Sequence, residues 1–170
     1  EYRRQRQMCI RDRGGTNQGT NSIAVGSWAG QSTQGNYSIA LGVSAGQTSQ
    51  NSNSIAIGYL AGKGNQNTYA ISIGNAAGYN SQNTNAISIG KNAGYNNQNL
   101  NSIAIGYQAG YSNQGQKSIA IGNYAGYINQ SANSIILNAS NDNLDAINSG
   151  FFVNPIRYVS GADATKFVLT

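Results

Sequence analysis

An isoleucine stands at every sixteenth residue from Ile23 to Ile135, eight times, without insertion or slip. Around it one phrase recurs: NSIAIGYLAGKGNQNT, NAISIGKNAGYNNQNL, NSIAIGYQAGYSNQGQ. A strict short period means one structural unit stacked on copies of itself, and the common helical repeats need ~33 residues or more. Sixteen suits one turn of a β-solenoid, with two short strands and two corners, each turn pairing with the next at ~4.8 Å. The chain is therefore expected to be all-β, a single-stack parallel β-solenoid (β-roll) of about eight turns and about 35–40 Å length.

Columns are counted from the residue before each isoleucine. Column one is Ser or Ala, column two Ile, column three Ala or Ser until Ile136, and column four Ile, Val or Leu. Such alternation marks a strand with one buried face. The large residues are expected to form the core ladder: Ile23, Val25, Ile39, Leu41, Ile55, Ile57, Ile71, Ile73, Ile87, Ile89, Ile103, Ile105, Ile119, Ile121, Ile135 and Leu137, helped by the column-eight alanines. Glycines in columns five and nine suit corners with positive φ or close backbone approach. Column thirteen is a Gln ladder, Gln18, Gln34, Gln50, Gln66, Gln82, Gln98, Gln114 and Gln130, expected to bond amide to amide along the axis. A rod burying two large side chains per turn has little core to offset the ordering of its backbone. A homotrimer closing over the flat Ser/Ala face of columns one and three would supply more burial. The plainer alternative is that these small residues flank a solvated strand.

Composition narrows the function. Only 9% of the 170 residues are charged, and Asn and Gln crowd the polar positions. Such composition also fits a disordered, prion-like tract, but disorder does not require apolar residues in register. The net charge of +5 is concentrated in residues 1–13, which carry +3. The repeat body, with one cation in some turns and none in others, offers no electrostatic track for nucleic acid. No stretch approaches the ~20 apolar residues of a spanning helix, so no membrane insertion by this segment is expected. The chain has no His, and no Asp or Glu lies between Gly14 and Asn141. Metal sites built on these ligands, recurring calcium sites and His-activated serine chemistry therefore have no residues in the repeats. Neither enzyme activity nor a cofactor is expected.

Three segments are read. Residues 1–13, EYRRQRQMCIRDR, share nothing with the repeat, and Met8–Arg13 matches the translation of a common transposon-end adapter. They are expected to be adapter read-through on a truncated metagenomic fragment; a genuine basic arm is the alternative. Residues 14–141 are the solenoid. Residues 142–170, where the period is lost, are expected to form a truncated C-terminal cap or neck built on Leu144, Ile147, Phe151, Phe152, Val153 and Ile156.

The SIAIGxxAG unit resembles the left-handed β-roll repeats in the heads of trimeric autotransporter adhesins. Its NQ-containing sixteen-residue form, and residues 134–159 (SIILNASNDNLDAINSGFFVNPIRYV), resemble viral and phage-type fibre proteins that carry a C-terminal endosialidase-type chaperone domain. The resemblance covers residues 14 to about 160 and implies a trimeric rod, extracellular or on a virion surface. A viral or phage tail-fibre shaft presenting a host-attachment surface is the first expectation. A bacterial adhesin head, a self-assembling amyloid-like matrix and a monomeric ice- or carbohydrate-binding solenoid are the alternatives. Column ten carries a surface row, Tyr79, Tyr95, Tyr111 and Tyr127, with Tyr59, Tyr107, Trp28 and Tyr124 in columns six and seven. Exposed aromatics beside Asn and Gln suit contact with a host glycan or protein. Cross-strand stacking that only stabilises the turns is the preferred reading.

Overall fold

The computed structural model describes residues 15–155. Large and small residues alternate in columns one to four, and the segment forms a short strand in every turn. These strands are β1 (Ile23–Val25), β3 (Ile39–Leu41), β5 (Ile55–Ile57), β7 (Ile71–Ile73), β9 (Ile87–Ile89), β11 (Ile103–Ile105), β13 (Ile119–Gly122), β14 (Ser134–Asn138) and β15 (Gly150–Asn154). They make one nine-stranded sheet in sequence order. Columns eleven to thirteen make the second wall, six-stranded: β2 (Thr33–Gln34), β4 (Ser49–Gln50), β6 (Asn65–Gln66), β8 (Asn80–Gln82), β10 (Asn96–Gln98) and β12 (Ser112–Gln114). All pairings are parallel, and like lies over like: Ile55 over Ile71, Ile71 over Ile87, Gln50 over Gln66. The expected parallel β-solenoid of sixteen-residue turns is the fold, and no helix occurs among the described residues.

The core is the reverse of the expected one. Columns one, three, eight and thirteen point inward: Ser38, Ala40, Ala45 and Gln50 in one turn, Ser102, Ala104, Ala109 and Gln114 in another, all fully buried. The sixteen residues assigned to the core ladder, Ile23, Val25, Ile39, Leu41, Ile55, Ile57, Ile71, Ile73, Ile87, Ile89, Ile103, Ile105, Ile119, Ile121, Ile135 and Leu137, all point outward and none is buried. Ile23 is 52% exposed and Val25 42%. The reason is the width of the turn. Gln50 reaches across it and donates its amide N–H to the Ile39 carbonyl at 2.7 Å, and Gln66, Gln82, Gln98 and Gln114 do the same to Ile55, Ile71, Ile87 and Ile103. The lumen is one extended glutamine wide. It has no room for an isoleucine opposite that glutamine, so the small face turns in.

The glutamines are thus primarily struts across the turn. Amide-to-amide contacts along the axis also occur, Gln66 to Gln82 at 3.2 Å and Gln82 to Gln98 at 3.1 Å. Gln18 is the exception, exposed and 3.5 Å from Gln34. The Oε1 atoms of Gln50, Gln66, Gln114 and Gln130 are buried without a partner. Each of these turns has Ala in column three. Where column three is Ser, the orphan is satisfied: Ser72 donates to Gln82 Oε1 at 2.5 Å, and Ser88 donates to Gln98 Oε1. Ala104→Ser should therefore raise stability by about 1 kcal/mol, the usual net worth of one such bond, seen as a higher Tm.

The segment expected as a cap begins inside the sheet. β15 pairs with β14 one period on, Ile135 over Phe151 and Leu137 over Val153. Leu144 and Phe152 pack against the buried cluster that includes Ile136 and Ala146. Ile147 (82% exposed) and Phe151 (51%) do not join it, and Ile156 lies outside the described residues. Asn138 replaces a repeat glycine and holds the altered corner. Its amide donates to the carbonyls of Asn123 and Asp142, both at 2.7 Å, and its Oδ1 accepts from Ser140.

Candidate interaction surfaces

Two surfaces follow from this arrangement. The first is the outer face of the nine-stranded sheet, where columns two and four stand as parallel rows of Ile, Val and Leu. Because every turn is in register, the rows are continuous from Ile23 to Ile135 and from Val25 to Leu137, and Phe151 and Val153 extend them. At ~4.8 Å per turn and ~6.6 Å between alternate residues, the strip covers on the order of 300 Å² or more, within the range of patches that often serve contact. The face expected to meet a second copy, Ser/Ala in columns one and three, is the lumen and is unavailable.

The second surface is aromatic. Tyr79, Tyr95, Tyr111 and Tyr127 stack with ring centroids 4.8, 5.1 and 5.0 Å apart. The column repeat sets this spacing, because each tyrosine follows a buried Ala-Gly corner held by backbone bonds such as Gly94 N–H to the Ala109 carbonyl at 2.9 Å. Tyr124 meets Tyr127 edge-on at 5.5 Å, and Tyr107 meets Tyr124 edge-on at 5.3 Å. The row of four is therefore a belt of six. Columns six and seven lie next to column ten only after the corner folds back, and their spacing alone gave no sign of it. Lys63 caps one end, its Nζ 5.2 Å from the Tyr79 ring centre and donating to the Tyr79 hydroxyl at 3.2 Å. Lys91 lies over Tyr107 at the other end, 5.8 Å from the ring centre. Burial, with Tyr79 and Tyr111 on either side, raises the Tyr95 phenol above its ordinary 10.0 against the opposing pull of Lys63. The Tyr124 phenol is raised chiefly by its hydrogen bond with Tyr107, then by burial.

Stacking decides what the row can bind. Sugars pack against open aromatic faces, and these faces are covered by neighbouring rings and by Lys63. What the belt offers outward is ring edges and hydroxyls. Asn ladders line the adjoining wall, Asn97 to Asn113 at 3.0 Å and Asn113 to Asn129 at 2.9 Å. Among the described residues no His, Cys, Asp or Glu group is placed to hold a metal, and no helix is long and apolar enough to cross a membrane.

Two consecutive repeats, residues 18–45, match the family model of the YadA head domain repeat. No curated protein and no solved structure matches the chain. The matched residues run through one inward Gln strut, Gln34, and two outward pairs, Ile23 with Val25 and Ile39 with Leu41.

Proposed function

We propose that this chain is part of a non-enzymatic, surface-displayed adhesin of the trimeric autotransporter kind, with three parallel rods packed through their Ile faces. The observation that carries it is the outward apolar strip. Its aliphatic side chains cost free energy in water, and a rod this narrow cannot turn them inward. Three identical strips around a threefold axis cover one another with closed symmetry, leaving no surface for further growth. The match to the head repeat favours this over a viral or phage fibre and over an amyloid-like matrix. The Asn ladders and the hydroxyl edge of the Tyr belt are then the surfaces left to meet a host glycan or protein.

Light scattering with mass determination tests the assembly. The unaltered chain should show a discrete mass three times that of one chain. Ile87→Lys with Ile89→Lys puts two charges mid-strip without touching the lumen, and burying them at an interface is costly. That variant should run as a monomer and keep its strand circular dichroism. A monomeric unaltered chain, or a trimeric double variant, overturns the packing; polydisperse fibrils would favour the matrix.

A further inference from the structure

We propose that the tyrosine belt is a site of oxidative cross-linking, at which a one-electron oxidant joins tyrosines of successive turns into dityrosine within a single chain. Three features converge on this. Tyr79, Tyr95, Tyr111 and Tyr127 are held as near neighbours, with centroids 4.8–5.1 Å apart, before any reaction begins. Two of the three pairs are close to parallel, at 4° and 7°, so successive rings face one another. The rings are only partly buried, which leaves their edges open to a diffusing oxidant. Tyr37, Tyr59 and Tyr69 are more exposed but have no ring neighbour among the described residues.

The chemistry balances with hydrogen peroxide and a peroxidase as the oxidant. Each of two phenols gives one electron to the oxidised peroxidase and its hydroxyl proton to solvent, leaving two phenoxyl radicals. These pair to form one carbon–carbon bond between ring carbons ortho to oxygen. Each ring then loses its ortho hydrogen as a proton and regains one on oxygen, restoring both phenols. The sum is loss of two hydrogens from two tyrosines and reduction of one peroxide to two waters. Bringing the ortho carbons together needs rotation about the soft ring torsion, which is broad in energy. Pre-arranged partners react at effective concentrations that separate chains in dilute solution do not reach, so links within a chain should outrun links between chains. Each bond would close a sixteen-residue loop and staple adjacent turns.

The full chain treated with peroxidase and peroxide tests this. Dityrosine fluorescence should appear while the denaturing gel keeps the single-chain mass, and peptide mapping should find Tyr79–Tyr95, Tyr95–Tyr111 and Tyr111–Tyr127 links. Tyr95→Phe keeps a ring in the stack but removes two of the three stacked phenol pairs. It should cut the initial rate of dityrosine formation in the row to about a third, by the same proximity dependence. Links that involve mainly Tyr37, Tyr59 or Tyr69, links mainly between chains, an initial rate unmoved by Tyr95→Phe, or no dityrosine under conditions that couple free tyrosine would each overturn the proposal. The peptide map of the unaltered chain decides the matter even if the variant folds poorly.

Discussion

Gly90→Ala should lower stability by at least about 3 kcal/mol, enough to melt the central turns at ordinary temperatures. Two independent obstacles meet at this residue. Its φ is 124°, a conformation that residues with a side chain rarely adopt. A Cβ there would also sit 2.5 Å from the Gly106 carbonyl oxygen and 2.9 Å from its carbon. Those atoms belong to the backbone of the next turn and cannot rotate aside. Relief would require the two turns to part, which breaks bonds such as Gly106 N–H to the Ile89 carbonyl at 2.8 Å. In a stack where each unit touches only its neighbours, parting one interface weakens the rod on both sides.

Gly94 makes a useful comparison. Its φ of 55° is one that Asn tolerates, but a Cβ there would run into Gln98 Oε1 at 2.7 Å and press on the Ser88 hydroxyl. The first glycine admits the next turn's backbone, and the second admits the strut. Asn75→Ala, at an exposed corner position, is the control and should change stability by no more than about 0.5 kcal/mol. Urea unfolding followed by circular dichroism measures all of these. A loss under about 1 kcal/mol for Gly90→Ala would mean that the turns are not packed at this spacing.

The period, the parallel register and the glycine corners were legible because each repeats as a fixed column. Which face of the strand turns inward was not. Alternation shows that two faces differ, and it does not show which one the lumen can hold. The missing constraint was the Gln strut, whose reach makes the turn too narrow for Ile55 or Ile57 inside. Two signals in the chain point the right way. Ser moves between columns one and three, as in Ser54-Ile55-Ala56 against Ala70-Ile71-Ser72, which marks the two columns as sharing one confined space. Left-handed residues were also hidden. Leu60 (φ 58°), Tyr69 (62°) and Lys117 (53°) adopt a conformation their side chains do not advertise. The aromatic row was visible in column ten, but its continuation through Tyr124 and Tyr107 depends on how the corner folds.

The second signal sets the other large prediction. In most turns the lumen holds a small residue in column three and Gln in column thirteen. In the turn that begins at Ser134 these become Ile136 and Ala146, both fully buried in one cluster. The bulk has crossed from one wall to the other, the kind of volume-conserving exchange that packed interiors tolerate. Gln114→Ala alone should cost about 2–4 kcal/mol. It empties the lumen beside Ala104 and leaves the Ile103 carbonyl without the amide that bonds it at 2.7 Å. Adding Ala104→Ile refills that space from the opposite wall and should recover more than half of the loss. The strut bond to that carbonyl stays lost, so recovery should be incomplete, whereas the buried orphan on Gln114 Oε1 disappears. A double-mutant cycle in urea gives the coupling directly, expected at about 1–3 kcal/mol in the favourable sense. Additive losses would show that columns three and thirteen do not share one cavity, and with that the one-glutamine-wide lumen and the outward Ile face would both be lost.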